Sequence, residues 1–213
     1  MILRANGIRK RFESRWVLRD ASIELRSGEC VLLQGANGSG KTTLAQILAT
    51  LLTPDRGVVE FDGVPALQKR QATRRAIGFA SHRPLLYPGL SPLENLSFFG
   101  RLAGVERADT RAADLLARFG LAAFARAPVE RFSRGMLQRV ALIRAILPSP
   151  RLLILDEPYA GLDDEGSGTL NGLLSEAQGR GAAILLVAHE RERPGALVGR
   201  ICQIREGGVE SSA

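Results

Sequence analysis

Apolar and polar residues alternate along the N-terminal part of the chain. The stretch VLRDASIEL at 17–25 alternates with the two-residue period of a strand that has one buried face. A second run, RGVVEFDGV at 56–64, contains Asp62 and Gly63, a dipeptide typical of a hairpin turn. The pattern therefore predicts a half-buried, antiparallel β region in this part of the chain.

The C-terminal half has a different pattern, with short runs that are apolar at every position. LLIL at 152–155 and AILLVA at 183–188 are separated by a glycine-rich stretch with helical spacing at 165–179. Continuous apolar strands connected through a helix are typical of a parallel sheet covered on both faces. We therefore predict an α/β fold with a mainly parallel sheet.

The middle of the chain is helical in pattern. Ser91, Pro92 and Glu94 combine an N-cap, a first-turn proline and a capping-box glutamate, which together predict the start of a helix. A second helical run, 110–119, is closed by Gly120. These patterns predict a helical subdomain inserted at about 84–146, within a chain that forms one domain over 1–213.

Composition favours a globular domain. Hydrophobic residues make up 45% of the 213 residues and charged residues 24%, which excludes a disordered chain. The apolar runs are far shorter than the roughly 20 residues that span a bilayer, and the N-terminus lacks the apolar core of a signal peptide. Cys30 and Cys202 are too few for a disulfide framework, so a reducing compartment is expected.

The chain is basic, with a net charge of +7 and an isoelectric point near 10.4. Such a field attracts nucleotides, nucleic acid or anionic lipid without choosing between them. The charges are scattered and form no block, which favours a solvated surface over a nucleic-acid patch. We therefore expect no nucleic-acid partner.

A phosphate-binding loop is the strongest chemical signal. GANGSGKT at 35–42 matches G-x-x-x-x-G-K-[ST] in full, between an apolar run and a helical pattern at 42–52. Backbone N–H groups in such a loop bind anions, with the lysine reaching the terminal phosphates and the following hydroxyl joining the shell of Mg²⁺. The predicted cofactors are ATP and Mg²⁺. The candidate binding residues are Gly35, Asn37, Gly38, Ser39, Gly40, Lys41, Thr42 and Thr43.

Two adjacent carboxylates follow the apolar run at 152–155. Asp156 stands at the end of that predicted strand, where it could hold Mg²⁺, and Glu157 could polarise the attacking water. Neighbouring carboxylates repel each other unless a cation is present, which is a further reason to expect one. Glu157 and Lys41 are therefore catalytic candidates.

Further motifs resemble those of the ATP-binding cassette (ABC) family. The segment 131–158 is similar to the family's signature segment followed by its Walker B strand, and Ser133 and Gly135 match the L-S-G-G-Q pattern. AGLD at 160–163 resembles the D-loop, and LLVAHE places His189 at the family's switch histidine. The resemblance covers nearly the whole chain and implies a P-loop ATPase core in which His189 contacts the γ-phosphate.

The resemblance also implies an ATP-dependent head-to-tail homodimer, in which Ser133 and Gly135 face the nucleotide of the second copy. Phe12 stands where the family stacks an aromatic ring on adenine, and Trp16 is the competing candidate. Either ring would contribute roughly 1–3 kcal/mol by stacking. Asp163 of the D-loop would communicate across the dimer interface.

The chain departs from the family pattern at three positions. His82 stands where the Q-loop usually has glutamine, and a neutral imidazole can bind water or a metal, so His82 is a candidate for the metal site. Arg134 and Met136 replace the usual glycine and glutamine of the signature. No cluster indicates a metal other than Mg²⁺.

The family resemblance implies an ATPase subunit that drives transport through separate multi-span membrane permease subunits, from the cytoplasmic face of the cell membrane. The Q-loop and the helical insertion would form the groove for a permease coupling helix, with PLLYPGL at 84–90 as an apolar contact. The short length, the signature variant and 81–105 are most similar to the haem exporter ATPase of cytochrome c maturation. The alternatives are another ABC-2-type exporter ATPase, or a DNA- or ribosome-associated ABC ATPase.

Overall fold

A computed structural model describes residues 1–188 and 197–212 of the chain. Ten strands, six α-helices and two 3₁₀ turns follow one another in this part. The strands are β1 (Leu3–Phe12), β2 (Arg15–Leu25), β3 (Cys30–Gln34), β4 (Arg56–Phe61), β5 (Val64–Pro65), β6 (Ile77–Ala80), β7 (Leu152–Asp156), β8 (Ala183–Val187), β9 (Arg200–Arg205) and β10 (Gly208–Ser212). The helices are α1 (Lys41–Leu48), α2 (Arg70–Arg75), α3 (Pro92–Leu102), α4 (Ala108–Arg118), α5 (Arg134–Ile146) and α6 (Asp164–Gly179).

The strands form one mixed sheet in the order β5-β4-β1-β2-β10-β9-β3-β8-β7-β6. Strands β9, β3, β8, β7 and β6 are parallel to their neighbours in that stretch, whereas β1, β2, β4 and β5 are antiparallel. Strand β10 joins the two regions, because it runs antiparallel to β9 and pairs with β2 in parallel. The predicted α/β fold, with a parallel core and an antiparallel N-terminal region, is confirmed.

The continuous apolar runs have a clear structural cause. Every residue of β3, β7 and β8 is buried, and successive side chains point to opposite faces of the sheet. Val31 and Leu33 belong to the core beneath α1, while Cys30 and Leu32 belong to the core formed with α3–α6. Two apolar cores therefore require apolar side chains along the central strands, up to the buried polar residues Gln34 and Asp156 at the carboxyl ends of β3 and β7.

The predicted hairpin and capping box are both present. Asp62 and Gly63 have positive φ values of 51° and 74° and connect β4 to the antiparallel β5, as a two-residue turn requires. The Ser91 hydroxyl accepts from the Glu94 N–H, and the Glu94 carboxylate accepts from the Ser91 N–H at 2.8 Å. Helices α3, α4 and α5 lie between β6 and β7, and the 84–146 boundaries stay a prediction.

Helix α1 is shorter than its pattern predicts. The apolar pattern continues to residue 52, but the helix ends at Leu48. Thr50 has a left-handed conformation with φ of 59°, which ends the helical path. The two leucines beyond this point differ in burial. Leu52 packs against the core, whereas Leu51 is half exposed. The predicted helix end at residue 52 was wrong, because the apolar residues after Leu48 were interpreted as a continuation of the helix.

Candidate nucleotide site

The phosphate-binding loop connects β3 to α1. Gly38 and Gly40 adopt positive φ values of 76° and 104°, which residues with a side chain rarely adopt. A Cβ on Gly40 would also lie 2.9 Å from Leu18 Cδ2, so the loop packs closely on β2. Gly40 is the N-cap of α1 and no side chain caps this helix end. The first N–H groups of α1 are therefore available to an anion.

Lys41 places a positive charge inside this loop. Its Nζ donates to the carbonyl oxygens of Gly35 at 2.7 Å and Ala36 at 3.0 Å, and the residue is only 6% exposed. These contacts fold the side chain back over the loop that precedes it. The ammonium is therefore held inside the loop that is predicted to bind the phosphates.

Thr42 and Asp156 meet at the carboxyl end of the parallel strands. Thr42 Oγ1 donates to Asp156 Oδ2 at 2.7 Å. Asp156 is 2% exposed, and its other carboxylate oxygen has no hydrogen-bond partner among the described residues. Burial raises the pKa of Asp156, while the hydrogen bond from Thr42 acts in the opposite direction. The fold brings together two residues that are 114 positions apart in the sequence.

This pair fits Mg²⁺. A buried carboxylate oxygen without a partner is costly unless a positive charge compensates it. Mg²⁺ prefers hard oxygen ligands and is usually bound by one or two protein carboxylates together with substrate phosphates. The Thr42 hydroxyl and the Asp156 carboxylate supply such oxygens beside the phosphate loop.

Glu157 follows Asp156 in a strained conformation. Its φ is 52°, although it has a side chain, and its N–H donates to the Val187 carbonyl at 2.8 Å. Gln138 of α5 donates to the Glu157 and Pro158 carbonyls at 3.4 and 3.5 Å. Backbone strain held by several contacts is common at functional sites, where it aims a side chain.

His82 lies close to these acidic residues. It lines a small cavity of about 60 Å³ together with Glu157, Gln138 and Arg134. The imidazole is exposed, and its charge would lower the pKa of Asp156. Within residues 1–188 and 197–212 no group of three or more His, Cys, Asp and Glu side chains could hold a metal. A role for His82 in the metal site therefore stays a prediction.

The signature residues begin α5. Ser133 is the N-cap, and its hydroxyl accepts from the Met136 N–H at 3.3 Å. Both Ser133 and Arg134 are exposed. A Cβ on Gly135 would lie 2.5 Å from the Gly161 carbonyl oxygen, so only glycine allows this approach of α5 to the D-loop. The signature and the D-loop therefore pack as one unit.

An ion pair strengthens this unit. Asp163 caps α6 by accepting from the Gly166 N–H at 2.9 Å, and Arg139 Nη2 donates to the same carboxylate at 2.7 Å. These two interactions lower the pKa of Asp163, with the backbone hydrogen bond as the larger cause. The sequence reading missed this pairing, because a separation of 24 residues along the chain carries no local signal.

The two aromatic candidates differ in their position. Trp16 and Val17 line a cavity of about 550 Å³ beside the loop, which Gly38 and Ser39 also line. Phe12 is not among the residues that line it. Its ring is 47% exposed and lies 5.7 Å from Lys10 Nζ. His189, the predicted switch histidine, lies outside the described residues.

Comparison with known proteins identifies the family. The ABC transporter family profile matches residues 18–160. The chain belongs to the ABC transporter family. It is 34% identical to the ABC transporter ATP-binding protein NatA of Bacillus subtilis, over 90% of this chain and 79% of that protein. This cassette is therefore an ABC-type ATPase.

Two further relatives are named for export or resistance. The Streptomyces coeruleorubidus daunorubicin resistance ATP-binding protein DrrA3 is 35% identical over 96% of this chain, and the Bradyrhizobium diazoefficiens Nod factor export ATP-binding protein I is 34% identical over 94%. The chain spans 65% and 66% of the length of these two relatives.

Solved structures agree with the sequence relatives. An ATP-binding subunit of an ABC transporter matches with a TM-score of 0.92 and 28% identity, covering 100% of this chain and 90% of that one. The dimeric cassette MJ0796 bound to ADP and Pi matches with a TM-score of 0.86 and 25% identity, covering 98% and 97%. No helix within residues 1–188 and 197–212 is long and apolar enough to cross a membrane.

Proposed function

We propose that this ABC ATPase powers an exporter through separate multi-span membrane subunits, from the cytoplasmic face of the cell membrane. The observation that carries the proposal is the arrangement of Lys41, Thr42, Asp156 and Glu157 around one phosphate loop, in a chain whose relatives include proteins named for export. ATP hydrolysis at such a site releases free energy. Membership of a transporter family supports the use of that free energy for transport.

We propose the following roles in hydrolysis. The loop N–H groups and Lys41 bind the phosphates, and Thr42 and Asp156 hold Mg²⁺, which neutralises phosphate charge when it is bound. Glu157 orients and polarises the attacking water, for which its position directly after the buried Asp156 is suited. His189 would contact the γ-phosphate, as the family resemblance implies.

We further propose that two copies close head to tail around ATP. Ser133 lies exposed at the N-terminus of α5, and Gly135 lies next to it. An exposed helix N-terminus can meet the phosphates of a nucleotide held by a second copy. The dimeric state of the related cassette MJ0796 supports this arrangement.

The adenine ring is proposed to stack on Trp16. Trp16 is the only tryptophan of the chain and lines the cavity beside the loop, so ATP binding is expected to change the intrinsic fluorescence. Trp16→Ala is expected to weaken ATP binding by about 5- to 150-fold, which corresponds to roughly 1–3 kcal/mol of stacking. Affinity is measured with a fluorescent ATP analogue, so that the variant stays measurable.

Phe12→Ala is the matched comparison for Trp16→Ala. Under the proposal it leaves ATP affinity within about twofold of the unmodified chain, which corresponds to a change of less than 1 kcal/mol. A large loss in Phe12→Ala, together with an unchanged Trp16→Ala, would assign the base to Phe12 as the family resemblance implies.

We also propose two candidate classes of exporter for this subunit, one from the sequence resemblance and one from the relatives. The signature variant with Arg134 and Met136 supports the haem exporter of cytochrome c maturation, whereas relatives named for Nod factor export and daunorubicin resistance support another exporter of the ABC-2 type. In both complexes this subunit hydrolyses ATP and the membrane subunits contact the cargo.

The deciding experiment is an affinity capture from detergent-solubilised native membranes, using Glu157→Gln with ATP. Recovery of multi-span subunits together with cytochrome c maturation components is expected for a haem exporter. An unrelated permease would retain export and exclude haem. Ribosomes or DNA without any membrane protein would overturn the transport function.

A further inference from the structure

The hairpin that joins β9 to β10 reaches the nucleotide cavity. Its two turn residues, Glu206 and Gly207, line the cavity of about 550 Å³ that Trp16, Gly38 and Ser39 also line. Among the described residues of this lining, Glu206 is the only acidic one. The hydrolysis roles proposed above do not use its carboxylate, so a further role in the same site is available to it.

Close backbone contacts fix this hairpin against two parts of the site. The Gly207 carbonyl accepts from the Arg19 N–H at 2.8 Å, three residues after Trp16 on β2. At the end of β9, a Cβ on Gly35 would lie 2.8 Å from the Ile204 carbonyl oxygen, so the phosphate loop begins directly against this strand. The hairpin therefore extends from the phosphate loop to the strand that carries Trp16.

The position of Glu206 corresponds to the middle of a bound ATP. Glu206 lies between Ile204, which contacts the start of the phosphate loop, and Gly207, which contacts β2. In ATP the ribose connects the phosphates to the base. With the phosphates in the loop and adenine on Trp16, we expect the ribose at the level of Glu206.

The side chain of Glu206 has the chemistry that ribose hydroxyls require. Each hydroxyl offers one hydrogen-bond donor, and an ionised carboxylate has two oxygens that only accept. An acidic side chain that binds a ribose hydroxyl also occurs in dinucleotide-binding sites. Glu206 is exposed, and its carboxylate makes no ion pair or hydrogen bond with the described residues. Both of its oxygens can therefore accept from a ligand.

The turn itself does not explain a glutamate at this position. Glu206 and Gly207 have positive φ values of 48° and 81°, as the two residues of a type I′ hairpin turn do. Such turns favour Asn-Gly, Asp-Gly or Gly-Gly, so an asparagine at 206 would suit the hairpin better. An unfavourable backbone conformation held by its surroundings is common where a side chain serves a ligand.

The charge of Glu206 is compatible with an anionic ligand. A carboxylate alone would repel the phosphates of ATP. Arg15 and Arg19 line the same cavity, and neither side chain forms an ion pair with the described residues. The cavity lining is therefore positive as a whole, and Glu206 places one local acceptor within it.

We propose that Glu206 accepts hydrogen bonds from the ribose hydroxyls of ATP and makes the site selective for ribonucleotides over deoxyribonucleotides. The proposal rests on the proposed nucleotide site, with the phosphates in the loop and adenine on Trp16, and adds a specificity-determining residue to it. A contact of Glu206 with the exocyclic amine of adenine is the competing assignment.

The first test compares ATP with 2′,3′-dideoxy-ATP, which lacks both hydroxyls. Each nucleotide displaces a fluorescent ATP analogue from the full chain. ATP is expected to bind about tenfold more tightly, which is near the lower end for hydrogen bonds to a charged group, because Glu206 is exposed. Equal affinities would overturn the proposal. Failure to bind either nucleotide would contradict the proposed nucleotide site itself.

Glu206→Asn separates this role from a structural one. The asparagine is neutral and one methylene shorter, so the variant should bind ATP about tenfold more weakly and lose most of its preference over the dideoxy nucleotide. Its Tm should be equal to or higher than that of the unmodified chain, because Asn-Gly favours the turn. A variant that keeps the tenfold preference would show that Glu206 does not bind the ribose.

Glu13→Asn is the matched control. Glu13 is also exposed, has a positive φ of 52° and lies in the turn between β1 and β2, but it does not line the cavity. This variant should retain both the affinity for ATP and the tenfold preference. An equal loss in both variants would assign the effect to net charge and overturn the ribose contact.

Inosine triphosphate distinguishes the ribose from the base. It keeps both hydroxyls but carries a carbonyl oxygen in place of the exocyclic amine of ATP. Under the proposal, Glu206→Asn weakens ATP and inosine triphosphate by the same factor. Weakening of ATP alone would assign Glu206 to the base and overturn the ribose contact, while leaving the proposed nucleotide site intact.

Discussion

Replacement of Glu157 by glutamine is expected to lower ATP turnover by about 10²–10⁴-fold, the usual contribution of a positioned general base. ATP binding should persist, because Lys41 and the phosphate loop are unchanged. Glu157 follows the buried Asp156 in a strained conformation with φ of 52°, which turns the backbone out of the extended path of β7. The amide of glutamine keeps the shape of the side chain but cannot accept a proton from water.

The measurement combines steady-state phosphate release with the molecular mass of the chain in solution, with and without ATP and Mg²⁺. Glu157→Gln should trap ATP and accumulate as a dimer, whereas the unmodified chain returns to monomer as ATP is consumed. Glu106→Gln makes the same change at an exposed position beyond α3 and should behave like the unmodified chain. Retained turnover, or a variant that remains monomeric with ATP and Mg²⁺, would count against the shared-site mechanism.

Asp156→Asn is expected to abolish ATP hydrolysis and, at the same time, to increase the thermal stability of the ligand-free chain. It should abolish Mg²⁺-dependent hydrolysis, because a neutral amide is a poor ligand for Mg²⁺. It should also raise the Tm of the ligand-free chain by about 2–4 °C, equivalent to about 1 kcal/mol in a chain of this size. Burial makes the ionised carboxylate of Asp156 unfavourable, and the Thr42 hydroxyl can still donate to the amide oxygen.

The pH dependence follows from the raised pKa of Asp156. The folded state holds a proton on this carboxyl to higher pH than the unfolded state does. Stability therefore decreases as pH rises from the ordinary pKa of an aspartate to the raised value, and it stays lower above that value. Asp156→Asn should remove this part of the slope. Urea unfolding at several pH values measures it.

Asp114→Asn is the control for Asp156→Asn, because Asp114 is exposed on α4. It should change neither the Tm nor hydrolysis. Adding Mg²⁺ with ATP should raise the Tm of the unmodified chain and of Asp114→Asn, and much less that of Asp156→Asn. A lower Tm for ligand-free Asp156→Asn would mean that the carboxylate is compensated within the fold, and the metal assignment would lose its physical basis.

The sequence alone determined the features that depend on local chemistry. The phosphate loop at 35–42 is recognisable because its glycines, lysine and threonine must be contiguous to surround a phosphate. The capping box at Ser91 and the turn at Asp62 and Gly63 are equally local. The continuous apolar runs predicted the central strands, because both faces of those strands are covered.

Elements with mixed burial escaped the sequence reading. Strands β6, β9 and β10 and helix α2 have only four to six residues each, too few to show a clear period. Strand β9 nevertheless pairs directly with β3, and β10 connects the two regions of the sheet. Their conformation is set by pairing with distant strands, which a local pattern does not record.

The tertiary structure decided the features that depend on distance across the fold. It placed Trp16 rather than Phe12 along the cavity beside the loop, and it joined Arg139 to Asp163. It also showed that Arg144, one arginine among many in the sequence, stands in an apolar groove without a carboxylate among the described residues. Local chemistry identifies a motif from its own residues, whereas the compensation of a charge depends on which segments the fold brings within a few ångströms of it.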